Sequence, residues 1–239
     1  MSTKVALFAT CLADQFWPEV AAATVKVLER AGCTVTFDAR QTCCGQPAFN
    51  SGYRQEAKAV ARHWLDVFAA AEHVVMPSGS CAAMVHRYEQ LFADEPDQLA
   101  RAHELIGRTH ELAGFLVRVL GVSSLGARFP GKVALHDSCH GLRELGQYDE
   151  PRRLLRAVSG LDLVEFPNGA TCCGFGGTFA VKFPELSTAM ADHRLAGLTG
   201  LDVDTITAVD ASCLLQLRGR LQRTGSKVRV LHLAEILAS

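Results

Sequence analysis

The feature that most constrains this chain is that it repeats itself. "VALFATCL" at residues 5–12 returns as "VALHDSCH" at 133–140, and "TCCGQPAFNSG" at 42–52 as "TCCGFGGTFAV" at 171–181. "VVMPSGSCAAM" at 74–84 returns as "ITAVDASCLLQ" at 206–216, so the first three pairs sit at offsets of 128, 129 and 132. A fourth block, "ELAGFLVRVLG" at 111–121, resembles "HLAEILAS" at 232–239. Ordered recurrence of this kind predicts one folding unit used twice. The seam falls in "GVSSLGARFPG" at 121–131, where Gly, Ser and Pro130 suit a linker. The expected division is therefore 1–125 and 126–239.

Each half alternates short β-branched runs with longer helical patterns. In the first, strands are predicted over 4–10, 34–37 and 73–77, and helices over 19–31, 54–71, 81–92 and 96–120. Val60, Trp64, Val67 and Phe68 share one face of the second helix at three- and four-residue spacing. In the second half, strands are expected over 132–136, 161–166, 204–209 and 227–231. The helices between them are expected over 141–158, 178–197 and 212–223, with one more to close. Such alternation predicts an α/β fold of two pseudo-symmetric halves, each a small parallel sheet flanked by helices, a Rossmann-like duplication. In parallel sheets, sites gather where strands end and helices begin. Cys11, Cys81, Cys139 and Cys213 each fall just past a predicted strand.

The chain carries nine cysteines in 239 residues, with a net charge of −1 and neither a basic run nor a basic excess to suit nucleic acid. Its first twenty residues lack the layout of a secretory signal, and no apolar run is long enough to span a bilayer. A cytoplasmic setting is the expectation, and clustered thiols in a reducing compartment point to metal or redox chemistry rather than disulfides. Eight of them form two matching sets, Cys11, Cys43, Cys44 and Cys81, then Cys139, Cys172, Cys173 and Cys213. The intervening residues number 31 and 36 in the first set and 32 and 39 in the second, not counting the adjacent pairs.

Four thiolates would satisfy zinc. Vicinal cysteines argue for something larger, because successive side chains diverge and two neighbours rarely reach one small ion together. An iron–sulfur cluster spreads several irons over a wider volume and is held by cysteine thiolates. Gly45 and Gly174, after each pair, let the chain turn sharply and bring backbone N–H groups to the sulfurs.

The blocks "TCCGQPAFNSGY", "PSGSC", "TCCGFGGTFAVK" and "DASCLLQLRGRLQRTGSKVRVLHLAEIL" resemble the cysteine-rich CCG-domain family, to which the heterodisulfide reductases contribute one of their polypeptides. The resemblance covers nearly the whole chain and is nearest to members of lactate utilization systems. It implies that the eight cysteines above are ligands of iron–sulfur clusters, of the 4Fe–4S type and one per half. It also implies a non-autonomous, electron-transferring component of L-lactate oxidation acting with lactate utilization proteins B and C. The alternatives are a thiol–disulfide redox enzyme like the heterodisulfide reductases and a zinc-binding scaffold, with zinc in one site also conceivable. The full family motif ends in Cys-x-x-Cys, but here the first of those cysteines is Ser78 in one half and Asp210 in the other. That departure bears on the non-cubane double cluster of the five-cysteine members. Asp210 is a candidate oxygen ligand or a helix cap, and Ser78 a cap or turn residue.

Cys33, without a counterpart, is expected to be a small buried hydrophobe. His136 and His140, absent beside Cys11, are candidates for supporting a site, with packing or exposure the commoner fate. "GFGG" at 174–177 lacks phosphate-loop spacing. Asp192 and His193 are expected to be solvated, and the basic run at 218–229 to form an exposed helix end able to meet an acidic partner.

Overall fold

A computed structural model describes residues 2–167 and 171–239. The first half forms a parallel sheet from β1 (Thr3–Leu7), β2 (Cys33–Phe37), β3 (His73–Met76) and β4 (Thr109–Glu111), in the order β2-β1-β3-β4. The second repeats it with β5 (Arg128–Leu135), β6 (Ser159–Glu165), β7 (Thr205–Ala208) and β8 (Arg229–His232), ordered β6-β5-β7-β8. In this order the chain leaves the first strand of each sheet toward one edge and later crosses to the other. The C-terminal ends of β1 with β3, and of β5 with β7, therefore flank a switch point, where open parallel sheets hold ligands.

The helices form where apolar spacing demands them. Helix Pro18–Arg30 begins on a proline, which needs no N–H there, and buries Val20, Thr24, Val27 and Leu28. Helix Arg54–Phe68 buries Ala57, Ala61, Trp64, Leu65 and Phe68, an apolar stripe that meets Phe8 of the strand exit. Three expected helices are broken. The stretch expected at 141–158 divides into Cys139–Arg143 and Asp149–Arg156, with Gly146 at φ +61° between them. The one expected at 178–197 divides into Thr178–Lys182 and Pro184–Ala196, because Pro184 has no N–H to continue the ladder. The segment 81–92 starts earlier, at Gly79, and divides into Gly79–His86 and Tyr88–Leu91.

The larger correction concerns 96–120. A helix covers Pro96–Ile106, but Thr109–Glu111 then pairs with Val74–Met76 as β4. The chain continues as a short helix, Leu112–Gly114, passing into a π-helical turn, Phe115–Val119. The repeat carried the signal, because the block at 111–121 matches one that directly follows the predicted last strand. The strand expected over 132–136 starts earlier: β5 begins at Arg128, and its register shifts between Arg128 and Gly131, where Pro130 cannot donate a ladder bond.

The halves share a core. Val5, Val27 and Leu28 of the first pack in one buried cluster with Val133, Leu154, Leu155, Leu233, Ile236 and Leu237 of the second. Each fully buried aliphatic side chain of this kind contributes ~1.5–3 kcal/mol. Arg30 adds a polar clasp, donating to the carbonyls of Leu237 at 3.0 Å and Ala238 at 3.1 Å. Around the switch points the packing is reciprocal. The helix starting at Cys11 lies against helix Ala211–Arg223, and helix Gly79–His86 lies against the one starting at Cys139. Gly79 and Gly141 make the second contact so close that a Cβ on Gly79 would stand 3.3 Å from Gly141 Cα. No helix among the described residues is long and apolar enough to cross a membrane.

Candidate metal centres

Three separate segments deliver each thiol set to one place. Cys11 opens the helix after β1, and Cys81 lies in the first turn of helix Gly79–His86 after β3. Cys43 and Cys44 come from the loop ahead of helix Gln46–Asn50, which Gly45 starts in a left-handed conformation at φ +85°. The second half places Cys139 after β5, Cys213 in the first turn of helix Ala211–Arg223 after β7, and Cys172 with Cys173 ahead of Gly174. Gly174, at φ +86°, has no room for a side chain, since a Cβ would stand 2.6 Å from the carbonyl oxygen of Ser187. All eight cysteines are at least half-buried and in no disulfide.

Within each set the thiols neighbour one another in the same order. Cys11 Sγ donates to Cys43 Sγ at 3.6 Å, and the Cys44 thiol is close enough to Cys43 and Cys81 to shift its own proton affinity upward. In the second cage the contacts run Cys139 to Cys172, Cys172 to Cys173 and Cys173 to Cys213. The first cysteine of each pair also accepts a backbone N–H two residues on, Gly45 to Cys43 and Gly174 to Cys172, each at 3.4 Å. These donors hold Cys43 as a thiolate, its pKa lowered to about 3 chiefly by the Cys11 thiol and then by Cys44. Cys172 is lowered to about 2 in the same way, by Cys139 first and then Cys173. The donating thiols Cys11 and Cys139 are pushed up in return. Metal binding would draw the full set into the thiolate form, releasing protons. An all-sulfur donor set with vicinal members fits an iron–sulfur cluster and, by softness alone, zinc.

The two cages are built unequally. Thr10, just before Cys11, has φ +68°, a conformation a β-branched residue rarely holds, whereas its counterpart Ser138 is relaxed at φ −61°. Tyr88, wholly buried, donates to the Cys44 carbonyl at 2.9 Å. In the second cage, a ring nitrogen of His136 and the sulfurs of Cys173 and Cys213 lie within 4.8 Å of one another. Burial, and then the Arg194 guanidinium, hold His136 neutral with a pKa of about 3. His140 sits beside Cys139, Nδ1 to Sγ 3.6 Å.

Ser78 and Asp210 occupy the positions where the family motif has its extra cysteine, and each caps a helix. Ser78 Oγ accepts the Cys81 N–H at 3.2 Å, and Asp210 Oδ1 accepts the Ser212 N–H at 3.1 Å. Sequence reasoning missed that these two positions meet. They form an antiparallel bridge across the halves, and Asp210 Oδ2 accepts the Ser80 N–H at 2.6 Å. Both carboxylate oxygens of Asp210 are thereby engaged by N–H groups. Cys33 is buried in the shared core, away from both cages. Asp192 is not simply solvated but forms an ion pair with Arg220, and the basic run folds back, with Arg218 over the Trp17 ring and Arg229 over Phe129.

The cysteine-rich domain model, CCG, matches residues 5–86 and again 133–218, one copy per cage. The chain belongs to the cysteine-rich CCG domain family. It is 49% identical over 234 residues to lactate utilization protein A of Halalkalibacterium halodurans, covering 98% of this chain and 96% of that protein. It is also 49% identical to lactate utilization protein A of Geobacillus kaustophilus, covering 98% of each. The protein of the same name from Bacillus velezensis is 47% identical over 99% of both chains. Among solved structures, a glutamate racemase from Bacillus anthracis superimposes with a TM-score of 0.37 at 13% identity, covering 99% of this chain and 79% of that one. That likeness is too distant to bear on function.

Proposed function

We propose that this CCG-family chain is the iron–sulfur, electron-transferring component of a lactate utilization system, with one 4Fe–4S cluster in each half. The observation that carries the reading is the convergence of three chain segments on a group of four neighbouring thiols, twice over. Cys11, Cys43, Cys44 and Cys81 would hold one cluster, and Cys139, Cys172, Cys173 and Cys213 the other. When bound, such a group supplies one-electron transfer at a potential set by its surroundings. The chain's own residues prepare for it. Gly45 and Gly174 aim N–H groups at sulfur, helices Gly79–His86 and Ala211–Arg223 carry Cys81 and Cys213 in their first turns, and the shared core fixes one cage against the other. The names of the relatives supply the pathway. On this reading the chain is a cytoplasmic component that passes electrons during oxidation of L-lactate to pyruvate alongside lactate utilization proteins B and C.

A cavity of about 260 Å³ opens over the first cage, lined by its four cysteines and by Phe175, Thr178 and Val181 of the second half. A group seated there is thus in reach of both halves. The test is anaerobic reconstitution with iron and sulfide, followed by metal analysis and electron paramagnetic resonance. Two clusters per chain are expected, with one lost in Cys44→Ser and the other in Cys173→Ser. Stoichiometric zinc without iron would replace this reading with a scaffold. Disulfide turnover by the loaded protein would favour the heterodisulfide-reductase chemistry. Unchanged growth on L-lactate after gene deletion would remove the pathway.

A further inference from the structure

The same place in the two copies is filled by Phe8 and His136, each three residues ahead of its cage's first cysteine. Phe8 packs into an aromatic cluster, its ring centroid 6.0 Å from Trp64 and 5.6 Å from Phe68. His136 is 1% exposed, and its Nδ1 accepts from Arg194 Nε at 3.0 Å. Arg194 is equally buried, with its guanidinium 3.7 Å from the Phe166 ring centroid and a second bond to the Pro167 carbonyl at 2.7 Å. A guanidinium only donates. The lone pair of Nδ1 is therefore committed to Arg194, and a neutral imidazole must carry its proton on Nε2. That Nε2 has no hydrogen-bond partner among the described residues. Leaving a buried N–H unsatisfied costs about 1–3 kcal/mol. A ring nitrogen of His136 lies within 4.8 Å of the Cys173 and Cys213 sulfurs, which are candidate acceptors for it.

We infer that His136 donates its Nε2–H to sulfur in the second cage, that Arg194 sets the tautomer for this role, and that the two cages are electronically unequal as a result. This rests on the iron–sulfur reading above. Hydrogen bonds to cluster sulfur and nearby positive charge stabilise the more negative, reduced state and raise the reduction potential. The second cage has both, in His136 and Arg194; in the first, the Phe8 side chain offers no donor. Electrons entering the protein settle preferentially in the second cage. His136 is not itself an iron ligand while Arg194 holds Nδ1, because the Nε2 lone pair a metal would need is protonated.

The experiment uses the full chain, reconstituted anaerobically and labelled with 15N-histidine. Iron and sulfide are measured first. A chain without them sinks the cluster reading and this inference together, whereas a loaded chain puts His136 alone on trial. Pulsed electron paramagnetic resonance should show a weak 15N coupling, transmitted across a hydrogen bond, that disappears in His136→Phe. A strong coupling, as from a directly bound nitrogen, overturns the inference, and so does no coupling. In redox titrations His136→Phe should lower one of the two midpoint potentials and leave the other in place, while His136→Gln, which keeps an N–H donor, recovers part of the loss. Unmoved potentials in loaded His136→Phe also overturn it. If that variant fails to load its second cluster, the wild-type coupling decides.

Discussion

Gly45 and Gly174 hold the same place in the two copies and nearly the same backbone angle, φ +85° and +86°, yet substitution by alanine should affect them very differently. The left-handed conformation costs an L-residue ~1–2 kcal/mol at either position. At Gly45 the new Cβ would find its nearest neighbour, the Ala57 carbonyl oxygen, at 3.4 Å, an ordinary contact. At Gly174 it would meet the Ser187 carbonyl oxygen at 2.6 Å and Met190 Cβ at 2.8 Å. Both belong to helix Pro184–Ala196, which is tied down by Ser187 Oγ donating to the Gly174 carbonyl at 2.8 Å. The helix cannot retreat without breaking that bond, so an overpacking cost of ~1–3 kcal/mol adds to the backbone cost. Gly174→Ala should thus lose ~2–5 kcal/mol and Gly45→Ala ~1–2 kcal/mol, by these two contributions. Urea denaturation of the reduced, metal-free proteins, followed by circular dichroism, measures both. Iron analysis after reconstitution should show the second cluster depleted in Gly174→Ala. The two variants agreeing to within about 0.5 kcal/mol, the scatter of ordinary surface changes, would refute the argument from the close approach.

Asp210→Ala removes the acceptor for Ser80 N–H and Ser212 N–H at once, and with hydrogen bonds to charged groups worth ~1.5–3 kcal/mol each it should destabilise by about 3 kcal/mol or more. Asp210→Asn, which keeps one acceptor oxygen, should lose less, as read from denaturation midpoints. Glu111 is buried, its pKa raised from 4.5 to about 8 by desolvation, so the folded state holds its proton more tightly than the unfolded. Its stabilising contribution is full below pH 4.5 and is lost as pH rises through 8. Glu111→Gln, which keeps the capping oxygen for Ala113 and Gly114, should gain a few kcal/mol over wild type at pH 9 and almost nothing at pH 4.5, and a pH-independent difference would count against burial as the cause. Cys33→Ala should leave iron and sulfide content unchanged, because Cys33 lies in the shared core; loss of iron would mean that a ninth thiol takes part.

The duplication, the α/β class and the two thiol quartets were legible in the residues themselves, because each rests on short-range patterns. Strand and helix periods are written locally, and a Cys-Cys-Gly with a matching cysteine on either side recurs at fixed spacing. The fourth strand of the first half escaped, since Thr109–Glu111 is three residues long and pairs only because β3 offers it an edge. The breaks at Gly146 and Pro184 were written in the sequence, but the helical period on either side outweighed them. What no local pattern could state was which groups meet across the halves. Asp210 reads as an oxygen ligand or a cap and Ser78 as a cap or turn residue, and only their approach across the halves joins them. His136 reads only as a candidate for supporting a site, and its role is fixed only by Arg194, 58 residues on, closing against the imidazole. Sequence alone assigned sulfur to each cage because ligand type is a property of single residues. Tertiary structure decided how each cage is polarised, because a hydrogen bond between segments far apart in the chain exists only once packing has brought them within about 3 Å.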